Sequence, residues 1–190
     1  MRAALAIGHS RFIGDRRDEG AVSLGGMTEW EYNRSLGDMI ATELMGEGHD
    51  VRVWDKYRGR GYTSAMRWLA GDIRRWRADA AIELHFNFAH SAAHGHEWLF
   101  WHTSDDALVL ASAINAEFMA ELPELTQRGI KPTRAHERGA SFLRMTHCPA
   151  VIAEPFFGSN VIDWKVASQQ KHQIAAGIAS GICHYFDLME

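Results

Sequence analysis

Two histidines and two glutamates, far apart in the chain, stand one by one at the edge of an apolar run or at a helix start. His9 closes the run Ala3-Ala4-Leu5-Ala6-Ile7-Gly8, His85 closes Ala80-Ala81-Ile82-Glu83-Leu84, and Glu154 closes Ala150-Val151-Ile152-Ala153. Short apolar runs of this kind read as buried strands. The ends of parallel strands converge on the crevice where open α/β sheets bind ligands. There His9, His85 and Glu29 could hold one zinc ion, because two imidazoles and a carboxylate form a hydrolytic zinc set that leaves a fourth position for water. A further carboxylate, Glu154, would then serve as general base. The chemistry these residues would do together is metal-assisted hydrolysis.

Glu29 competes for its role with Glu31. Thr28-Glu29-Trp30-Glu31 has the capping-box pattern, with Thr28 as N-cap and Glu31 at N3, where its side chain folds back onto the N-cap amide. Glu29 at N1 is left free to point outward, toward the strand ends, and gains from the unpaired N–H groups of the first turn. It is therefore the ligand candidate; otherwise both carboxylates only cap the helix.

The elements needed to position these four residues can be read along the chain. Strands are expected over 3–7, 51–54, 80–85, 97–101 and 150–154, and helices over 28–47, 63–77, 105–122 and 164–185, with Ser104 capping the third helix. Met66, Leu69, Ile73 and Trp76 recur at helical spacing within the second helix. The order βαβαββαβα calls for one α/β domain over 1–190, a mixed, mostly parallel twisted sheet with helices on both faces. The glycine- and charge-rich stretch 10–27 is long enough to be a functional loop.

Composition narrows the partners. A formal charge of −4 argues against a protein that coats nucleic-acid phosphates. The one dense basic cluster, Arg74-Arg75-Trp76-Arg77, reads as the solvated face of a helix. Cys148 and Cys183 form neither a CxxC pair nor a disulfide framework and read as small buried hydrophobes. No apolar stretch approaches membrane-spanning length, so no membrane insertion is expected. The start Met1-Arg2-Ala3-Ala4-Leu5 runs straight into the first strand with no signal peptide, which implies a chain made in the cytoplasm.

With the motifs placed, the chain resembles a zinc-dependent N-acetylmuramoyl-L-alanine amidase of the amidase-3 type, in the branch that includes phage endolysins. Four stretches carry the likeness: Gly8-His9-Ser10; Glu29-Trp30-Glu31-Tyr32-Asn33; Ala78-Asp79 with Glu83-Leu84-His85-Phe86-Asn87; and Cys148 to Asn160, with Pro149-Ala150-Val151-Ile152-Ala153-Glu154 at its centre. The resemblance implies His9, Glu29 and His85 as zinc ligands, one Zn2+ per chain, and Glu154 as the catalytic glutamate. The family's Glu-to-Asn spacing again selects Glu29, with Asn33 as its partner. It also implies the substrate, the amide joining N-acetylmuramic acid to L-alanine in peptidoglycan, reached after release from the cytoplasm. Two departures stand out: Glu83 replaces a small hydroxyl residue two before the second histidine, and Ser10-Arg11-Phe12-Ile13-Gly14 replaces a glycine-rich tail after the first.

Other residues are weighed against these. Arg144 follows Phe142-Leu143 shortly before the Glu154 strand, where it would stabilise an oxyanion or stand as a plain surface arginine. The stretches 10–27 and 127–141, with Arg128, Lys131, Arg134 and Arg138, could line a groove for acidic stem peptides or be solvated loops. In His94-Gly95-His96-Glu97, His96 and Glu97 point to opposite faces of a strand, which disfavours a second metal site. His90, His102, His136 and His147 have no carboxylate partner visible in sequence, and Cys148 beside His147 is not a thiol nucleophile. Two other functions share the residues: an N-acyl or N-formyl amino-acid amidohydrolase, and a non-catalytic peptidoglycan-binding module. The second is disfavoured because it has no need of Glu154.

Overall fold

The structure, a computed structural model, describes residues 1–189. The chain begins with β1 (Arg2–Ile7), then a hairpin of β2 (Arg11–Ile13) and β3 (Arg16–Asp18), α1 (Glu29–Gly46), β4 (Asp50–Trp54), α2 (Tyr62–Trp76) and β5 (Ala80–Leu84). It continues through β6 (His96–Trp101), α3 (Asp105–Glu121), β7 (Gln127–Thr133), α4 (Ala140–Met145), β8 (Ala150–Glu154), α5 (Val161–Gln169) and α6 (Lys171–Met189). The central sheet has the order β4-β1-β5-β8-β6-β7. Its pairings are parallel except β6 against β8, so β1, β5 and β8 point the same way and end together. No helix among the described residues is long and apolar enough to cross a membrane.

Helix starts follow their caps. Thr28 Oγ1 accepts from Glu31 N at 3.2 Å while Glu31 Oε2 accepts from Thr28 N at 2.9 Å, the reciprocal pair of a capping box. Ser104 caps α3 and Asn160 caps α5, each accepting backbone N–H groups of the first turn.

Strand alternation divides the sheet into two unlike faces. On one, Leu5, Ile7, Ile82, Leu84, Trp98 and Val151 are buried in a core with α1, α3 and α6. There α6 lies so close to α3 that a Cβ at Gly181 would come within 2.3 Å of Ile114 Cα. On the other face Ala4, Ala6, Ala81 and Ile152 meet Met66, Leu69 and Ile73 of α2 and Phe142 and Leu143 of α4. Three of those four strand positions are alanine, and the site forms beyond them, where this face reaches the strand ends.

Three expectations are revised. The stretch 10–27 contains the β2–β3 hairpin, closed by the two-residue turn Gly14-Asp15 with Gly14 at φ 62. The stretch 127–141 supplies an edge strand, β7, and runs into α4. The closing helix is two helices, parted at Gln170, because 168–173 is a polar run with no apolar anchor to hold one axis.

Candidate active site

His9 lies two residues beyond β1, in a left-handed conformation with φ 60 that a non-glycine residue adopts at a cost. Gly8 before it donates to Leu84 O at 2.8 Å, lacing the ends of β1 and β5 together. A Cβ on Gly8 would lie 2.5 Å from His85 Cε1, so only glycine lets the two imidazoles approach. His85 follows β5 and its N–H donates to Ala153 O at 3.0 Å. Glu154 is the last residue of β8, and Glu29 the first of α1. Ala21 N and Phe86 N donate to the two oxygens of Glu29, at 3.2 and 3.3 Å. Gly20 supports the same spot: with φ 73, it leaves room where a Cβ would strike Glu29 Oε2 and His9 Cδ2.

Glu29 stands between the two imidazoles. Its Oε1 is 2.8 Å from His85 Nδ1 and its Oε2 is 3.4 Å from His9 Nε2. One donor atom from each of His9, Glu29 and His85 falls within 4.8 Å of the others. The outward nitrogens also meet carboxylates: His9 Nδ1 is 2.6 Å from Asp18 Oδ1, and His85 Nε2 is 3.4 Å from Glu83 Oε2. Burial pulls the His9 imidazolium down, but Asp18 and Glu29 outweigh it and push the group up to about 9. The same contest, won by Glu29 and Glu83, holds His85 well above its usual range. Burial raises Glu29, yet the hydrogen bond with His85 and the nearby His9 imidazole hold it far below a normal carboxyl. Glu154 has no such partner, and burial pushes it up to about 7.

The cleft beside this cluster has a volume of about 480 Å³. Tyr57, Tyr62 and Met66 line one side, and Arg138, Gly139 and Ser141 another. Glu97 also lines it, directly opposite Glu154 in the β6–β8 pairing. Arg128 Nε and Lys131 Nζ donate to Glu97 Oε2 at 2.7 and 2.5 Å, and Asn87 Nδ2 to its Oε1 at 2.8 Å. These two cations are therefore paired with Glu97 and do not line the cleft, whereas the exposed Arg138 does.

The structure brings His9, Glu29, His85 and Glu154 to one place and does not bring Arg144 there. Arg144 is an exposed residue of α4 in a separate depression with Trp101, Ser104 and His147, beside the start of β8. The arginine on the cleft is Arg138, six residues earlier, because α4 runs away from the strand ends. Arg134 is absent from the cleft lining, with its backbone N–H donating to Glu137. Asn33 is fully buried one turn into α1, and its amide makes no hydrogen bond to Glu29 among the described residues. His96 is sunk in the core between Trp98 and Phe118, with Glu97 on the opposite face, so the two do not share a site. Cys148 and Cys183 are half-buried rather than buried. Asp18 and Glu97 were missed as cleft residues. The Gly14-Asp15 turn signal could have placed Asp18 on a hairpin; for Glu97 the opposite-face argument at His96 pointed the right way.

The donor set suits a single divalent cation. Two imidazoles and one carboxylate converge, and His9 Nε2 is buried with no hydrogen-bond partner. Without a metal both histidines favour their protonated forms around an ionised Glu29, so positive charge is what this arrangement accommodates.

No curated protein matches the chain. Among solved structures it is similar to the N-acetylmuramoyl-L-alanine amidase AmiC2 of Nostoc punctiforme, at 22% identity with a TM-score of 0.80, covering 98% of this chain and 97% of that one. It is also similar to the catalytic domain of the CwlV amidase from Bacillus (Paenibacillus) polymyxa var. colistinus, at 22% identity and TM-score 0.80, covering 98% and 99%. The catalytic domain of the CD27L endolysin targeting Clostridia difficile has 24% identity and TM-score 0.78, covering 97% of each chain. The sequence profile of the Amidase_3 family, described as N-acetylmuramoyl-L-alanine amidase, matches residues 4–184. That span includes every residue of the cluster, and the chain belongs to the Amidase_3 family of N-acetylmuramoyl-L-alanine amidases.

Proposed function

We propose that the chain cleaves the amide between N-acetylmuramic acid and L-alanine in peptidoglycan with one zinc ion held by His9, Glu29 and His85, and with Glu154 as the proton carrier. The observation that carries this reading is the position of Glu29 between His9 Nε2 and His85 Nδ1, beside a buried Glu154 oxygen that has no partner. When bound, zinc supplies a Lewis acid that polarises the scissile carbonyl and acidifies water. Glu154, pushed by burial to about 7, has the affinity of a group that both takes and returns a proton near neutrality. It accepts the proton of the attacking water and delivers it to the departing amine of L-alanine. Tyr57, Tyr62 and Met66 form a wall that limits water around the reacting amide. Arg138 offers the cleft mouth a cation for an acidic stem peptide. The fold shared with an endolysin catalytic domain supports a role in cell-wall lysis.

Metal analysis of the purified protein should find about one zinc per chain, and a chelator should abolish hydrolysis. Digested sacculi should gain amino termini of L-alanine without new reducing sugar ends. Undiminished hydrolysis by metal-free protein would overturn the proposal.

A further inference from the structure

Each imidazole of the cluster turns its two nitrogens toward two different carboxylates. His9 shows Nε2 to Glu29 and Nδ1 to Asp18; His85 shows Nδ1 to Glu29 and Nε2 to Glu83. Glu29 is shared, whereas Asp18 and Glu83 each serve one ring. A neutral imidazole has one N–H and one lone pair, and it can ligate only through the lone pair. A carboxylate on the outward nitrogen selects the tautomer, aims the ring and makes the inward nitrogen a better donor.

We propose that Asp18 and Glu83 are positioning residues of the metal site, fixing His9 as the Nδ1–H tautomer and His85 as the Nε2–H tautomer. The lone pairs on His9 Nε2 and His85 Nδ1 then face the space beside Glu29 where the ion is held. This rests on the metal-dependent reading above. Glu83, two residues before His85, lies on the same face of β5 and is buried. Its neighbour in register on β1 is Ala6, whose methyl leaves room for the longer side chain. Asp18 ends β3, where it pairs with Arg11 of β2, so the hairpin between His9 and Glu29 is the device that brings this carboxylate back to the ring. Its contact is the shorter of the two, 2.6 against 3.4 Å, and it should matter more.

Zinc affinity, measured by competition with a chromophoric chelator, separates the two levels of the argument. Wild-type protein should bind zinc. Asp18→Ala should bind on the order of 10–100-fold more weakly, and Glu83→Ala should shift in the same direction by less. Asp18→Asn, which keeps an acceptor oxygen without the charge, should fall between Asp18→Ala and wild type. Affinities are compared at a temperature where the metal-free forms of all three variants are folded. A wild type that binds no zinc overturns the metal-dependent reading itself. A wild type that binds while both alanine variants bind equally well overturns only the present inference, as does a variant that loses stability with unchanged affinity. Ring ¹⁵N spectra of zinc-loaded wild type give a test that needs no variant: N–H signals on His9 Nδ1 and His85 Nε2 are expected, and the opposite tautomers overturn it.

Discussion

The two faces of one sheet are built on different principles, although consecutive residues of the same strands make both. The face toward α1, α3 and α6 carries Leu5, Ile7, Ile82, Leu84 and Trp98, all fully buried against large apolar side chains. The face toward α2 and α4 carries Ala4, Ala6 and Ala81, then Glu83, His85 and Glu154 as the strands end. A period of two lets a strand contribute to the core with one residue and to the chemistry with the next. The alanines are covered by α2 and α4, and the cleft opens past them at the strand ends. Burying charges there opposes folding, and the packed face offsets it.

The largest effects should separate the faces cleanly. Glu154→Gln removes the proton carrier, and hydrolysis should fall by about 10²–10⁴-fold. Its stability should not fall with it. Glu154 is pushed above its unfolded value of 4.5 to about 7, so the fold favours the protonated form, and at pH 8 an ionised Glu154 works against the metal-free fold. The glutamine variant, stripped of metal, should melt no lower than wild type at that pH. Trp98→Ala is the converse: a fully buried ring lost from the packed face should cost about 3–5 kcal/mol in chemical denaturation. Folded Trp98→Ala protein should keep wild-type turnover per bound zinc. A Glu154→Gln variant that unfolds, or a Trp98→Ala variant that is inactive yet fully stable, would break the comparison.

The same division explains what could be read from the sequence. Strands β1, β5 and β8 are continuous apolar runs because both of their faces are covered, and their ends announced His9, His85 and Glu154. The capping box distinguished Glu29 from Glu31, and Glu31 Oε2 does accept from the Thr28 amide. β7 was not legible: Gln127-Arg128-Gly129-Ile130-Lys131-Pro132-Thr133 is an edge strand that pairs with β6 alone, and an edge tolerates Pro132 and charges that hide the alternation. Arg144 was misplaced because no sequence pattern gave the direction of a six-residue helix. Asp18 meets His9 across the β2–β3 hairpin, a relation that no local spacing encodes, whereas Glu83 and His85 stand two apart on one face of β5, a spacing the sequence did carry.

A subtler test lies within the packed face. His96 begins β6 with its ring 4.9 Å from the Phe118 ring centroid, and neither ring nitrogen has a hydrogen-bond partner. Burial pushes it from 6.5 down to about 4. A folded value below the unfolded one means that the contribution of neutral His96 is complete above pH 6.5, declines as pH falls toward 4, and is lost below it. The full difference is about 3 kcal/mol. His96→Leu should therefore flatten the loss of stability between pH 6.5 and 4, read from denaturation midpoints across that range. An acid limb as steep as that of wild type would place the acid sensitivity on the cleft face instead.

The smallest effect tests the one element that serves both faces. α1 sends Leu36, Ile40 and Leu44 into the packed core, while its first residue, Glu29, is the carboxylate between the two histidines. Thr28→Ala removes the side-chain acceptor for Glu31 N and should cost about 0.5–2 kcal/mol of stability. The position of Glu29 does not depend on that cap alone: Ala21 N, Phe86 N and His85 Nδ1 hold its oxygens from outside the helix. Zinc affinity of Thr28→Ala should then stay within about twofold of wild type, a difference below ~0.5 kcal/mol. Glu29→Gln should lose the metal while α1 keeps its capping box. If Thr28→Ala loses zinc in proportion to its lost stability, the helix start and the site are one cooperative unit, and the two faces are less separable than their packing implies.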